Sequence, residues 1–156
     1  MIEIPIPGGE PLRLAALLLD MNGTLSTDGR VAPGVLERLR RLGRQVRVVV
    51  ATADTFGTAR KALAVGGVEL RVLHAGSQAA QKERILEELG VETTAAVGNG
   101  HNDRRMVARA AIGVAVLGRE GAAGETLRRA RVVAASPEDA LDLFLEPRRL
   151  TATLRD

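Results

Sequence analysis

The side chains able to do chemistry gather in four short clusters, three of which directly follow apolar runs. The first is Asp20-Met21-Asn22-Gly23-Thr24-Leu25, after Leu17-Leu18-Leu19. A carboxylate at the end of an apolar run is costly to bury unless something binds it, and Gly23 suggests a tight turn that aims backbone amides inward. The second is Thr52-Ala53-Asp54, after Val48-Val49-Val50-Ala51; a hydroxyl ahead of a helix N-terminus can hold a phosphoryl oxygen. The third is Lys82, inside the helix-like stretch Ser77–Leu89. The fourth is Val97-Gly98-Asn99-Gly100-His101-Asn102-Asp103. Its glycines permit close backbone approach, and Asn99, Asn102 and Asp103 offer hard oxygen donors suited to Mg²⁺. Taken singly, each cluster also has an ordinary structural reading: an Asn-Gly turn, a helix N-cap, a solvated lysine, a glycine-rich loop. His101 has a suitable pKa for proton transfer but also reads as a surface residue at a helix entry; His74 reads as structural.

The elements that must position these clusters alternate strand-like and helix-like runs. Strands are expected at Ala15–Leu19, Val46–Val50, Val68–Leu73, Thr94–Val97, Gly113–Leu117 and Val132–Ala134. Helices are expected at Gly34–Leu42, Phe56–Ala64, Ser77–Leu89, Asn102–Ala111, Gly124–Arg129 and Pro137–Leu145. Ser136 as N-cap and Pro137 at the first helical position mark the last start clearly. Short, almost wholly apolar strands alternating with helices predict a parallel sheet covered on both faces. Such α/β sheets bind ligands outside the carboxyl ends of their strands, which is where the clusters fall. The segment Ile2–Leu14 reads as a strand or hairpin turning at Gly8-Gly9. The chain then divides into a hairpin (1–14), a core carrying the motifs (15–135) and a helical C-terminal segment (136–156) of one domain.

The order acid, hydroxyl, lysine, oxygen-rich loop resembles the four signature motifs of the haloacid dehalogenase (HAD) superfamily. Asp20 matches the nucleophile motif D-x-D-G-T, Thr52 the second motif, Lys82 the third, and Gly98–Asp103 the G-D-G-x-N-D loop. Within the superfamily the chain is most similar to the P-domain of P-type ATPases and to proteins called soluble P-type ATPases: Thr52-Ala53-Asp54 looks like their T-G-D, and Ala111–Val116 and Ala130–Val133 look like their later strands. The resemblance implies a Rossmann-like three-layer α/β sandwich without a cap domain, because neither gap between the first three motifs has room for one. It implies an Mg²⁺-dependent phosphohydrolase or phosphotransferase in which Asp20 becomes an aspartyl phosphate. Asp20, Thr52 and Lys82 would be catalytic; Asn22, Gly23, Thr24, Thr52, Ala53, Lys82 and Asn102 would surround the phosphate; Asp20, the Asn22 carbonyl, Asn99 and Asp103 would hold the metal.

Two positions depart from the pattern. Asn22 stands where HAD phosphatases carry the aspartate that protonates the leaving group and later activates water. Such a group is typically worth about 10²–10⁴-fold, so slow turnover is expected. Asn99 stands where the family has a metal-binding aspartate. Both substitutions favour the alternative of a non-catalytic or regulatory domain that keeps the phosphate and metal site.

Composition narrows the partners. With no cysteine, disulfides, thiolate metal sites and cysteine nucleophiles are excluded. Phe56 and Phe144 are the only aromatic residues, which leaves no stacking platform for single-stranded nucleic acid. The net charge of +3 comes almost wholly from arginines interleaved with acids, so solvated helix faces are expected rather than nucleic-acid binding. No apolar run approaches a membrane span, and a cytoplasmic location is expected. The partner is a phosphorylated substrate of unread identity. The open site suggests a homo-oligomer, or the hairpin Ile2–Leu14, as partial cover.

Overall fold

The computed structural model describes residues 1–53, 58–63 and 67–155. In chain order the elements are β1 (Ile2–Ile4), β2 (Leu12–Leu14), β3 (Ala16–Asp20), β4 (Ser26–Thr27), β5 (Arg30–Val31), α1 (Pro33–Gly43), β6 (Arg47–Thr52) and α2 (Thr58–Leu63). These are followed by β7 (Glu69–Val72), α3 (Gln78–Leu89), β8 (Thr94–Gly98), α4 (Arg104–Arg109), β9 (Ile112–Val116), α5 (Gly124–Arg129), β10 (Val132–Ala134), α6 (Pro137–Leu145) and α7 (Pro147–Leu154). The expected helix at Phe56–Ala64 is seen over Thr58–Leu63; its remaining residues, and Asp54, lie outside the described ones. The expected helix from Asn102 opens instead as a 3₁₀ turn, His101–Asp103, before α4.

Six strands form one parallel sheet in the order β10-β9-β8-β3-β6-β7. β3 lies between β8 and β6, so the chain reverses its direction of sheet growth at this strand. The alternation of side chains along each strand feeds two separate cores. Leu17, Leu19, Val48, Val50, Ala95 and Val97 pack on one face with Leu39 and Leu42 of α1 and Leu141 and Phe144 of α6. Leu18, Val49, Ala51 and Ala96 pack on the other with Ile85 and Leu86 of α3 and Met106 and Val107 of α4. This is the three-layer arrangement expected of strands that are apolar on both faces.

The hairpin β1–β2 pairs antiparallel, but it does not cover the sheet edge that carries Asp20. Ile2, Ile4 and Leu14 are buried in the first core, Ala15 N–H donates to Thr93 just before β8, and Met1 donates to Gln45 just before β6. These contacts lie at the amino ends of the strands, the edge opposite Asp20. Burial of the isoleucine side of β1 decides the location. A second hairpin, β4–β5, departs from the sequence expectation: its strands are two residues each and only Val31 among them is apolar. Its turn, Asp28-Gly29, has φ of +50° and +75°, as a tight hairpin turn requires. Among the described residues nothing larger than this hairpin is inserted between β3 and α1.

Candidate active site

Asp20 closes β3 at the carboxyl edge of the sheet and is 6% exposed. Lys82 of α3 reaches it from the facing helix. The stripe Ala79, Lys82, Ile85, Leu86 forms the buried side of α3, so helical periodicity itself places Lys82 inward; read without that stripe, a lone helical lysine looks like a surface residue. Its ammonium donates to Asp20 Oδ1 at 2.6 Å and to Asp103 Oδ1 at 2.6 Å, and its side chain is 1% exposed. The other Asp103 oxygen accepts from the backbone N–H groups of Asn99 and Gly100 at 3.0 and 2.9 Å. The Thr24 hydroxyl lies 3.0 Å from both Asp20 Oδ2 and Asn99 Oδ1, and its single proton serves one oxygen at a time.

The surrounding loops are fixed by polar contacts. Asn99 Nδ2 donates to the Gly121 carbonyl, Thr126 Oγ1 to the Gly100 carbonyl, and Asn102 Nδ2 to Gln78 Oε1. Gln78, Gly121 and Thr126 were not anticipated; nothing in their local sequence marks them. Gly23 has φ of +78°, and a Cβ there would lie 2.3 Å from Asn99 Nδ2. A Cβ on Gly98 would lie 2.4 Å from Asp103 Cγ. Gly23 therefore lets the two loops close on one another, and Gly98 lets its own loop fold back against Asp103.

Of the expected site residues, Asp20, Thr24, Lys82, Asn99 and Asp103 are joined by direct hydrogen bonds. Thr52 is buried at the end of β6, the strand next to β3, and Ala53 follows it half-buried. Asn22 is exposed on the loop between Asp20 and Gly23, and Asn102 sits half-buried against α3. His101 turns away: its side chain is 63% exposed, with Nδ1 3.4 Å from Glu125 on α5. His74 is exposed, and its backbone is held at both ends by Gln81.

Electrostatics follow from two buried carboxylates sharing one cation. Burial, then repulsion from Asp103, raises the pKa of Asp20 to about 6, with Lys82 and Thr24 offsetting part of the rise. Burial alone pulls Lys82 down, but attraction from Asp20 and Asp103 outweighs it and holds the ammonium above its ordinary value. The triad thus keeps Lys82 charged and carries a net negative charge once Asp20 ionises. A hard divalent cation suits this surplus. Asp20 Oδ2 and Asn99 Oδ1 already converge on one hydroxyl, and Asp103, with about four lone-pair sites, accepts three hydrogen bonds. Among the described residues no cluster of three or more His, Asp or Glu side chains exists, so a metal here would need amide and backbone oxygens as well. Among the described residues no helix is long and apolar enough to cross a membrane.

Comparison with solved structures fixes the class of fold. The 3-deoxy-D-manno-octulosonate 8-phosphate phosphatase of Moraxella catarrhalis, solved with magnesium, phosphate and KDO, superposes with a TM-score of 0.73 at 11% identity, covering 89% of this chain and 90% of that one. The cobalt-bound Haemophilus influenzae phosphatase YrbI gives 0.71 at 12%, covering 90% and 92%. A Legionella pneumophila protein described as a proposed HAD superfamily (subfamily III A) hydrolase gives 0.73 at 14%, covering 92% and 88%. The chain therefore has the Rossmann-like α/β fold of these HAD proteins. No family model matches the sequence. The chain belongs to the same family as Uncharacterized protein MJ0073 of Methanocaldococcus jannaschii, to which it is 42% identical over 85 residues, 52% of this chain and 91% of that protein. Uncharacterized protein MJ0072 of the same organism is 46% identical over 39 residues, 25% of this chain and 89% of that protein.

Proposed function

We propose that the chain is a metal-dependent phosphohydrolase that works through phosphorylation of Asp20. The observation that carries this reading is the buried Lys82 shared at 2.6 Å between Asp20, at the end of the central strand, and Asp103. A buried charged triad costs several kcal/mol to desolvate, and it lies at the sheet edge where this architecture binds ligands. Two of the structural neighbours are phosphatases, which supports it.

With a pKa of about 6, Asp20 is mostly ionised at neutral pH. An Asp20 carboxylate oxygen attacks phosphorus, the phosphorus–ester oxygen bond breaks, and the ester oxygen leaves with the electron pair. Lys82, freed in part from Asp20, stabilises the phosphoryl oxygens; Thr52, Thr24 and the amides after Asp20 orient them, with Ala53 and Asn102 at the margin. Asn22 supplies no proton, so the leaving oxygen takes one from water. A water molecule then attacks phosphorus, the bond to Asp20 breaks, phosphate leaves, and the excess proton returns to solvent. Mg²⁺, held by Asp20, Asn99, Asp103 and the Asn22 carbonyl, would supply the positive charge that lets two anions approach. Asn22 cannot transfer a proton, so both proton transfers are slow, and the resemblance to soluble P-type ATPases belongs to this reading.

The test is a screen of phosphorylated metabolites with Mg²⁺, using wild type and Asp20→Asn, with acid quenching to trap phosphoprotein. Hydrolysis and an acid-stable, hydroxylamine-labile phosphoprotein, both lost in Asp20→Asn, are the expected results. Asn22 also favours a second reading, a regulatory domain that binds phosphate without turnover. Phosphate binding with no phosphoprotein from any donor would establish that reading instead.

A further inference from the structure

Beside the nucleophile loop lies a cavity of about 660 Å³, within the range of small-ligand sites. Its apolar walls include Leu25, Val31, Val35 and Pro33. Its far side is Gly118, where a Cβ would lie 3.6 Å from the Gly23 carbonyl, so the cavity adjoins the loop that surrounds Asp20. Hairpin β4–β5 forms its roof. That roof is fastened: the Asp28 N–H at the hairpin turn donates to Glu120 at 2.8 Å, two residues beyond Gly118.

The cavity is apolar but biased toward anions. Arg30 and Arg119 both line it. Neither guanidinium has an ion-pair or hydrogen-bond partner among the described residues, as is true of eight of the other eighteen arginines. The starts of α1 and α6 also open into it, at Ala32–Pro33 and Ser136–Pro137. The α1 end has no side-chain cap and no acidic residue of its own in its first turn, but the Glu138 carboxylate lies beside it, so the two arginines rather than the helix ends supply the bias toward anions. The one lining carboxylate, Glu138, lies toward Gly34 and adds to the field that holds Arg38 charged. The hydroxyl of Ser136 is already committed to Asp139. Beyond the two guanidiniums, the Thr27 and Ser136 hydroxyls and the Glu138 carboxylate, the remaining lining side chains are apolar, so the charged donors rather than neutral hydroxyls dominate its polar surface.

We infer that this cavity holds the non-phosphate part of the substrate, and that this part is an apolar or aromatic body carrying a second anionic group, which Arg30 and Arg119 bind. The inference rests on the phosphohydrolase reading and names its substrate class: phosphate monoesters of small apolar hydroxy acids, esterified at the hydroxyl, rather than of sugars or uncharged alcohols. The second anion is a carboxylate or another phosphate; guanidinium groups pair with both.

The test separates the cavity from the chemistry. Amide chemical shifts of the full chain are followed during titration with 4-hydroxybenzoate, with phenol, and with 4-hydroxyphenyl phosphate as the phosphate counterpart. Saturable shifts at Leu25, Val31, Gly118 and Ser136 are expected for the two anions, with phenol binding about tenfold more weakly and Arg30→Gln/Arg119→Gln losing about the same factor, as two partly exposed charge contacts provide. The anion whose affinity falls further in the double variant identifies the second group, since a phosphate bound at the Asp20 centre does not depend on these arginines. No saturable shift at these residues, or equal affinity of wild type and variant, overturns the inference. In turnover, 4-carboxyphenyl phosphate should exceed phenyl phosphate in kcat/KM, and the ratio should fall toward one in the double variant through KM; a ratio near one in wild type also overturns it. If neither ester, nor any other, is hydrolysed in an Asp20-dependent way while 4-hydroxybenzoate still binds through the arginines, the phosphohydrolase reading fails and the cavity stands as an anion site.

Discussion

Replacing Asp20 by Asn should abolish phosphoryl transfer and at the same time stabilise the protein at neutral pH. Asn mimics the protonated carboxyl in shape, so the comparison isolates the charge. In the folded chain Asp20 titrates at about 6, against an ordinary value of 3.8. A carboxyl whose folded pKa is raised favours the folded state at pH below the ordinary value. That advantage is lost progressively as pH rises toward the folded value. The gap between 3.8 and about 6, at about 1.4 kcal/mol per pH unit, is about 3 kcal/mol. Most of it, about 2 kcal/mol, develops between pH 4 and pH 7. For a chain of 156 residues the full difference corresponds to about 6–12 °C in Tm. The assay is urea unfolding of wild type and Asp20→Asn in chelator across that pH range. Far-UV circular dichroism is the probe, because the chain has no Trp or Tyr. The stability of Asp20→Asn relative to wild type should rise with pH. A difference that stays flat, or that moves toward wild type as pH rises, would mean that Lys82 compensates both carboxylates fully, and would refute the reasoning.

Four more outcomes are expected from the same geometry. Lys82→Met leaves two buried carboxylates facing each other and should destabilise by about 3–5 kcal/mol at pH 8; urea titration at pH 8 and pH 5 should show the penalty shrinking as Asp20 protonates. Asn22→Asp should raise steady-state hydrolysis of p-nitrophenyl phosphate by up to about 10²-fold; an unchanged rate would show that proton transfer is not limiting. Gly98→Ala should cost about 1–3 kcal/mol in thermal unfolding and displace Asp103, since the added methyl meets a carboxylate held by three hydrogen bonds. Mg²⁺ at 100 times its dissociation constant should stabilise wild type by about 2.7 kcal/mol, with a smaller gain in Asp20→Asn, measured by the shift in urea midpoint.

Much of this architecture is legible in the sequence because parallel strands buried on both faces are continuous apolar runs, and these runs stop at Asp20, Thr52 and Gly98. The polar residues clustered at each stop have no place in a buried strand, so they mark the edge of the candidate site before any topology is known. Other features resist such reading. Strands β4 and β5 are too short to show a period, and only Asp28-Gly29 hints at their turn. The hairpin β1–β2 is recognisable, yet which edge it covers depends on contacts with Gln45 and Thr93, far along the chain. Helix α7 begins after a single residue, Glu146, and reads as a continuation of α6. Gln78, Gly121 and Thr126 matter only through partners that the fold brings to them.

The chain has only two lysines, Lys61 and Lys82, and they differ sharply in access. Lys61 is exposed on α2, while the Lys82 side chain is 1% exposed and its ammonium is held by two carboxylates. An amine-reactive acylating reagent therefore meets one lysine in the native protein and the other only when α3 separates from β3. Acylation at Lys82 becomes a clock for opening of the Asp20–Lys82–Asp103 cluster, with Lys61 as the internal reference for reagent strength. Under slow labelling the rate at Lys82 tracks the equilibrium population of the open form, and under fast labelling it reports the opening rate itself. Any ligand that seats against Asp20 should slow that clock, so occupancy of the centre can be followed by peptide mass without knowing the substrate.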